Sequence, residues 1–162
     1  MRRAFRTPEE LAPLLRDTIR AEFTHLCRMD AARACLRPKG PESWSPKEEL
    51  GHLIDSAANN HMRIVRAGLD GSFEGPGYAQ GEWVKAHDYQ DAAWEFLVTL
   101  WQGYNELIAG VVHRLPRDRF SAPCRIGGGE LLGLDFVIED YIKHMQHHLD
   151  HLLGRATVTP YP

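Results

Sequence analysis

Apolar side chains recur every three or four residues along most of the chain, which is the period of an amphipathic α-helix. The pattern is sustained over four segments, each long enough to bury one apolar face against the others. The predicted helices run from Thr7 to about Met29, from Ser45 to about Leu69, from Asp88 or Asp91 to Leu115, and from about Glu130 to Leu153. Four such helices joined by short or moderate connections predict an all-α four-helix bundle.

Two of the predicted helices begin with capping signals. Thr7-Pro8-Glu9-Glu10 offers a hydroxyl cap, a proline in the first turn and acids at the positive end of the helix dipole. Ser45-Pro46-Lys47-Glu48 matches a capping box, and Trp44 before it can pack on the first turn. These signals predict where both helices start.

The connections are predicted as loops. Residues 71–87 are rich in glycine, and a loop of this length that carries Phe73, Tyr78 and Trp83 is typical of a functional lid. Residues 120–126 could be extended before Gly127-Gly128-Gly129, but no alternation of apolar and polar positions requires a sheet.

Composition and charge narrow the class of protein. The chain has 162 residues, so we expect a single domain over residues 1–162. A formal net charge of −3 argues against a nucleic-acid-binding surface, which needs clustered positive charge. No apolar run is long enough to span a membrane and no signal peptide is recognisable, so we expect a cytoplasmic protein that does not bind membranes. The three cysteines form no CxxC pair of the kind found in zinc ribbons.

The histidines are the unusual feature of the composition, since four of the nine lie between residues 144 and 151. They form two pairs four residues apart, His144 with His148 and His147 with His151. This spacing places both rings of a pair on one helix face, where they can hold one divalent ion. At about 100° per residue, His144 and His148 border the apolar arc of the fourth helix, whereas His147 and His151 lie at its polar rim.

His52 on the second predicted helix is a third candidate ligand. It also borders an apolar arc, and Glu49, Ser56, Asn59 and Arg63 lie within about 60° of it around the helix. Polar groups at the edge of a core need partners, and a metal ion beside a small cavity would satisfy several of them at once.

Three imidazoles leave a coordination position open, which is typical of a catalytic zinc or nickel site. The alternative is structural, because histidines at helical spacing also occur on solvated surfaces and at hydrogen-bonded core edges. Glu49, Asn59 and Arg63 are candidates to position ligands or substrate, and Arg63 could bind a carboxylate or pair with a nearby acid. Asp55, at about 300° from His52, is expected on a solvated helix face.

Two stretches that contain these histidines carry a family resemblance. Trp44 to Ser56 reads W-S-P-K-E-E-L-G-H-L-I-D-S and resembles the W-[ST]-x-x-[EQ]-x-x-x-H-L-x-[DE]-[ST] signature of the DinB/YfiT superfamily. Tyr141 to His151 resembles its terminal H-x-x-x-H helix, in which a further histidine commonly follows. Arg63 and the aromatic loop from Tyr78 to Trp83 also sit where YfiT-like proteins have similar residues.

The resemblance implies a bundle in up-down-down-up order that holds a divalent metal, zinc or nickel, through three histidines. Carried over by position, the ligands are His52, His144 and His148. Some members of the superfamily are thiol S-transferases or thiol-dependent isomerases and others resemble hydrolases. It therefore implies a small-molecule substrate, a low-molecular-weight thiol as one co-substrate, and a homodimer, since dimers are common among its members.

Two hypotheses follow for the function. The first is a metal-dependent hydrolase or thiol S-transferase that acts on a small molecule through an open three-histidine site. The second is a non-catalytic helical bundle that binds a small molecule or a partner and carries a structural metal. Both zinc and nickel stay open, because both ions accept imidazole ligands.

Overall fold

Four long helices form the bundle, and shorter elements fill the connections between them. The structure, a computed structural model, describes residues 7–161. Its elements in chain order are α1 (Pro8–Arg28), α2 (Ala31–Ala34), α3 (Pro46–Asp70), β1 (Phe73–Gly75), α4 (Gln80–His87), α5 (Trp94–Arg114), β2 (Pro123–Ile126), β3 (Leu131–Gly133) and α6 (Leu134–Leu153). The predicted four-helix bundle is confirmed, and its helices are α1, α3, α5 and α6.

The predicted starts of α1 and α3 are confirmed at their caps. Glu10 Oε2 accepts a hydrogen bond from the Thr7 backbone N–H at 2.7 Å. At the start of α3 the Ser45 hydroxyl accepts from the Glu48 N–H at 3.3 Å, and Glu48 Oε2 accepts from the Ser45 N–H at 2.9 Å. This reciprocal pair is a capping box, and it fixes the position from which α3 presents its polar side chains.

Contacts at both ends of α3 show that it runs in the same direction as α5. Gly51, near the start of α3, packs against the ring of Tyr89 just before α5, and a Cβ at position 51 would lie 2.1 Å from that ring. Only glycine allows this approach. Gly68, near the end of α3, packs against Leu115 just after α5.

α1 and α6 run in the opposite direction to α3 and α5. The indole N–H of Trp94, at the start of α5, donates to the carbonyl of Leu26, near the end of α1, at 3.0 Å. Arg155, just after the end of α6, donates to the Glu22 carboxylate in the second half of α1 at 2.6 Å. The four helices therefore follow the order up, down, down, up.

A small sheet joins two of the connections, although the sequence pattern required none; the stretch at 120–126, which could be extended, contributes its middle strand. β1 pairs with β2 in parallel, and β3 pairs with β2 antiparallel. The turn between β2 and β3 has φ of 60° at Gly127 and 72° at Gly128, and the Gly129 N–H donates to the Ile126 carbonyl at 3.0 Å. Positive φ at both central residues is the turn type that favours glycine in hairpins.

The connections also contain more helix than predicted. Residues 71–87 are not one loop, because they include β1 and α4. The third long helix starts at Trp94 rather than at Asp88 or Asp91, since Tyr89–Asp91 forms a separate 3-10 turn. α6 starts at Leu134 rather than near Glu130, since the preceding residues pair in the sheet.

The apolar faces of the four helices meet in one core, in which Trp94 and Trp101 are the largest fully buried side chains. The polar site described next lies between α3 and α6, at the edge of this core. Within residues 7–161 no helix combines the length and the apolar character that a bilayer crossing requires.

Candidate metal centre

α3 brings His52 to the side of the bundle that faces α6. The Ser45 cap starts the helix seven residues earlier, so His52 lies about two turns into it. The His52 side chain is fully buried, and its ring lies 5.1 Å from the ring of Trp44. The capping box and the neighbouring indole together fix the depth of this imidazole.

α6 brings two further imidazoles to the same point. The Nε2 atoms of His52 and His144 are 3.0 Å apart. The ring centroid of His148 lies 4.7 Å from that of His52 and 4.5 Å from that of His144. One ring nitrogen from each of the three lies within 4.8 Å of the others. The structure thus brings together the three histidines that the sequence singled out.

Burial keeps the two inner histidines neutral at neutral pH. Loss of solvation, followed by the charge of His148, lowers the pKa of His52 to about 4. Loss of solvation, with smaller contributions from the neighbouring histidines, lowers the pKa of His144 to about 3. Neutral imidazole is the form that binds a metal ion, so neither ring has to lose a positive charge first.

The hydrogen bonding of the three rings fits a divalent metal. His52 Nδ1 is buried without a partner among the described residues, while its Nε2 faces another imidazole nitrogen. His148 Nδ1 lies 2.9 Å from Glu49 Oε1, which leaves Nε2 as the nitrogen that can bind an ion. A carboxylate on the outer nitrogen is a usual partner of a metal-binding histidine. Three imidazoles suit zinc or nickel and leave a position open.

The second histidine pair of α6 lies at the rim, as predicted. His147 is half-buried, and its Nδ1 lies 3.2 Å from the Thr159 carbonyl oxygen. The His151 side chain is 42% exposed, and its Nδ1 lies 3.4 Å from Glu49 Oε1. Glu49, His148 and His151 form a second group whose ligand atoms lie close together. Glu49 therefore contacts one histidine of each pair.

Two cavities flank the three histidines. The smaller one, of about 120 Å³, is bordered by His144 and extends along the polar side of α3. The larger one, of about 290 Å³, is bordered by His148 and lies near the start of α3 beside Trp44. A ligand in either cavity would contact a different histidine of the cluster.

Arg63 borders the smaller cavity, and its side chain is buried. Its Nη1 lies 3.4 Å from Asn60 Oδ1 and its Nη2 lies 3.4 Å from the Pro76 carbonyl oxygen. No carboxylate of the described residues forms an ion pair with it, so the pairing with an acid that the sequence left open is not found. Tyr78, from the aromatic connection, lines the same cavity.

Asn60 rather than Asn59 lies in the wall of this cavity. The Asn59 amide donates to the backbone carbonyl of Asp55 at 2.9 Å, as a helix surface residue can. Asn60 donates to the Ser56 carbonyl at 2.9 Å and lies 3.3 Å from the Ser56 hydroxyl. At about 80° from His52, Asn60 is closer than Asn59 to the apolar arc, and this angle is a signal that the sequence contains.

Asp55 is buried, so its predicted position on a solvated helix face is wrong. The Tyr89 hydroxyl donates to Asp55 Oδ1 at 2.6 Å, and His87 Nδ1 lies 3.2 Å from the same oxygen. Both partners come from the connection between α3 and α5, which covers this face of α3. Burial raises the pKa of Asp55, and the hydrogen bond from Tyr89 opposes that shift.

Comparison with protein families and curated proteins gives two matches. The sequence model of the DinB superfamily matches residues 15–152. A curated protein of Halalkalibacterium halodurans, named "Putative metal-dependent hydrolase BH0277", is 24% identical over 113 residues, which are 68% of this chain. The match spans 64% of that relative, so the chain covers less than two thirds of its length.

Solved structures share the fold over nearly the whole chain. One is described as "YfiT from Bacillus subtilis is a probable metal-dependent hydrolase with an unusual four-helix bundle topology". It superposes with a TM-score of 0.81 at 16% identity and covers 96% of this chain and 94% of its own. A mycothiol-dependent maleylpyruvate isomerase superposes with a TM-score of 0.76 at 14% identity, over 96% of this chain and 65% of the isomerase chain. At these identities the likeness concerns the fold.

Proposed function

Because the chain belongs to the DinB superfamily, we propose that it is a metal-dependent enzyme that acts on a small molecule through an open three-histidine site. The observation that carries the proposal is the 3.0 Å approach of the His52 and His144 Nε2 atoms in a buried position. Two neutral imidazole nitrogens that face each other at this distance, beside a third ring, provide the donors that a divalent ion needs.

The proposed ligands are His52, His144 and His148, and the proposed ion is zinc or nickel. Glu49 accepts a hydrogen bond from His148 Nδ1 and thereby holds that ring in place. Ser56 Oγ lies 3.5 Å from His144 Nδ1 and has the same position relative to His144. The sequence indicates three further candidates beside the ligands. Glu49 orients the ligand His148, and Arg63 faces the smaller cavity, where substrate would bind. Asn59 donates to a backbone carbonyl of its own helix.

The chemistry combines one contribution of the ion with several of the chain. A divalent ion held by three imidazoles acts as a Lewis acid and lowers the pKa of a bound water or thiol towards neutrality. The chain excludes bulk water from two sides of the site, because His52 and His144 are buried. Burial raises the pKa of Tyr78 to about 12, so its hydroxyl stays protonated and can donate a hydrogen bond into the cavity.

Hydrolysis is the first reaction class that we propose, in line with the names of the curated relative and of the YfiT structure. Transfer of a low-molecular-weight thiol to a small electrophile is the second. It is favoured by the two cavities beside different histidines, since a transferase must hold two substrates at once. The mycothiol dependence of the isomerase that shares the fold supports the same class.

We further propose that the protein acts as a single domain in the cytoplasm and forms a homodimer. Exposed apolar side chains on the outer faces of α3 and α5, Leu69 and Leu107 among them, offer a surface for a second copy. Sedimentation equilibrium tests this part of the proposal. A monomer at micromolar concentration would contradict it.

The metal is tested on protein purified without a histidine tag, whose zinc and nickel contents are measured by plasma mass spectrometry. We expect about one ion per chain in the wild type, almost none in His52→Ala, and an unchanged content in His113→Ala, an exposed histidine of α5. Wild-type protein that neither retains nor takes up an ion would contradict the proposal.

The reaction class is tested on the metal-loaded protein with two panels of substrates. One panel contains small esters and amides, and the other contains a low-molecular-weight thiol with small electrophiles. Turnover in one panel that is lost in His52→Ala assigns the class. A metal-loaded protein that is silent in both panels would support the non-catalytic alternative, a bundle that binds small molecules around a structural metal.

A further inference from the structure

Arg63 is a buried cation without an anionic partner. Its side chain is only 6% exposed, and its Nε is buried with no hydrogen-bond partner among the described residues. The two contacts of its terminal nitrogens are both long, at 3.4 Å, and both go to neutral oxygens. A guanidinium that is removed from water normally requires a carboxylate or phosphate partner, because an uncompensated buried charge is strongly destabilising. Burial lowers the pKa of Arg63 accordingly.

The cavity beside Arg63 has room for a small anion. Its volume of about 120 Å³ is somewhat less than the roughly 150 Å³ that admits one benzene molecule in a protein interior. It can therefore take a ligand fragment of about five non-hydrogen atoms. Its lining divides into polar side chains, Asn60 and Tyr78 among them, and apolar side chains, Ile126, Leu132 and Val137 among them. This division suits an acid head group on a short hydrocarbon chain.

The cavity connects Arg63 to the histidine cluster. Ser56 and Arg63 are seven residues apart, about two turns along the same face of α3, and helical side chains lean towards the N-terminus. A row of polar contacts leads back to the cluster. Arg63 Nη1 lies 3.4 Å from Asn60 Oδ1, Asn60 Nδ2 lies 3.3 Å from Ser56 Oγ, and Ser56 Oγ lies 3.5 Å from His144 Nδ1. A molecule bound at Arg63 would extend along this row towards the imidazoles.

An acidic side chain in the cavity wall favours a ligand with a single negative charge. Asp140 on α6 lines the cavity, and its Oδ2 accepts a hydrogen bond from the Tyr161 hydroxyl at 3.0 Å. It forms no ion pair with Arg63. The Asp140 carboxylate would repel a phosphate dianion more strongly than it repels a monoanion. A ligand with one carboxylate can pair with the guanidinium through two parallel hydrogen bonds.

We propose that Arg63 binds the carboxylate of the substrate, and that the protein acts on small monocarboxylic acids whose reactive group points along α3 to the histidine cluster. This inference rests on the proposed function for the reaction and on the cavity beside Arg63 for the recognition. It makes Arg63 a substrate-binding residue, with the Tyr78 hydroxyl as a neighbour that can donate to the same carboxylate.

The test is a calorimetric titration of the protein with propionate, and with propionamide as a neutral compound of the same shape. Titrations are run on the metal-loaded protein and after removal of metal by a chelator. We expect propionate to bind in both states with a Kd in the millimolar range, roughly −4 kcal/mol, and propionamide to bind at least about tenfold more weakly. Arg63→Gln should weaken propionate binding by about tenfold or more in both states. Arg66→Gln, an exposed arginine one turn further along α3, should leave it unchanged.

The melting temperature of Arg63 variants distinguishes a ligand-binding role of Arg63 from a structural one. If Arg63 is kept for a ligand, its replacement by glutamine removes an unpaired buried charge and leaves the melting temperature unchanged or raised. Arg63→Lys keeps the charge but loses the two parallel hydrogen bonds, so it should retain the fold and bind propionate more weakly than the wild type. A lowered melting temperature in Arg63→Gln, or propionate binding that is equal in the wild type and in both Arg63 variants, would overturn the inference.

The titration of chelated protein tests carboxylate binding separately from the proposed metal-dependent function. Binding of propionate that depends on Arg63 in chelated protein supports the inference even if the protein holds no metal at all. Metal binding without any carboxylate binding leaves the proposed function standing and overturns the inference. Binding of inorganic phosphate with higher affinity than propionate would also overturn it, since the site would then prefer a dianion.

Discussion

The two histidine pairs of α6 have the same spacing and lie on the same helix, yet their surroundings differ. His144 and His148 face a third imidazole from α3, and His144 is buried. His147 and His151 face a backbone carbonyl and the Glu49 carboxylate, and the His151 side chain is 42% exposed. The comparison shows that an i, i+4 pair becomes a site only where a second helix supplies the next ligand and the core excludes water.

The largest expected difference between the pairs is in metal affinity. His144→Ala removes a buried ligand, and we expect the affinity for zinc to fall by at least about 10³-fold. His151→Ala, the matched change at the rim, should alter it by less than about threefold. Competition with a chromophoric chelator measures both values. A larger loss in His151→Ala than in His144→Ala would mean that the ion binds at the rim group of Glu49, His148 and His151 instead.

Acid should destabilise the metal-free protein through the inner histidines. The pKa of His52 is lowered from 6.5 to about 4 and that of His144 to about 3. Between pH 6.5 and about 4 the unfolded chain therefore binds more protons than the folded chain, so stability falls as the pH falls. From pH 7 to pH 5.5 the free energy of unfolding should drop by about 2 to 3 kcal/mol, since each lowered group contributes about 1.4 kcal/mol per pH unit.

Urea denaturation of chelated protein at the two pH values measures this drop. In His52→Asn one of the two titrating groups is absent, so the pH dependence should shrink to about half. A wild-type protein whose stability is the same at both pH values would show that these imidazoles are not buried in the neutral form.

Glu49 should have a smaller effect, because it reaches the ion only through His148. Glu49→Gln keeps the size of the side chain but weakens the hydrogen bond to His148 Nδ1. We expect a loss in zinc affinity of about 10- to 100-fold. Glu82→Gln, an exposed acid of α4, is the control and should change nothing. An unchanged affinity in Glu49→Gln would indicate that His148 needs no partner to orient its ring.

The smallest effect is expected at His147. His147→Leu removes a contact with the Thr159 carbonyl and should cost about 1 kcal/mol of stability or less, with a change in zinc affinity of less than about twofold. Thermal unfolding and the chelator assay measure the two quantities. A tenfold loss of affinity would place His147 among the ligands and remove the distinction between the pairs.

The long helices could be predicted from sequence because their apolar period extends over 20 residues or more and their caps carry specific signals, as at Ser45 and Glu48. The sheet could not, because its strands have three or four residues and β1 pairs with a strand about 50 residues further along the chain. The glycines at 127 and 128 were the available signal, since two adjacent residues with positive φ are typical of a hairpin turn.

The candidate site was predictable where the helix angle decides the outcome and unpredictable where another segment covers the helix. The angle of about 40° between His144 and His148 places both at the core edge, and both face α3 in the structure. The burial of Asp55 depends on Tyr89 and His87, which come from a connection whose path the helix pattern does not specify. The same holds for Arg63, because whether an acid lies near it depends on which segments pack against α3.

The most direct test of the metal centre is an anomalous difference map from crystals of the tag-free protein, recorded on both sides of the zinc and nickel absorption edges. We expect one peak at about 2.0 to 2.2 Å from a ring nitrogen of each of His52, His144 and His148, with Glu49 still on His148 Nδ1. No peak between α3 and α6, or a peak held by Glu49 and His151 at the rim, would contradict the account.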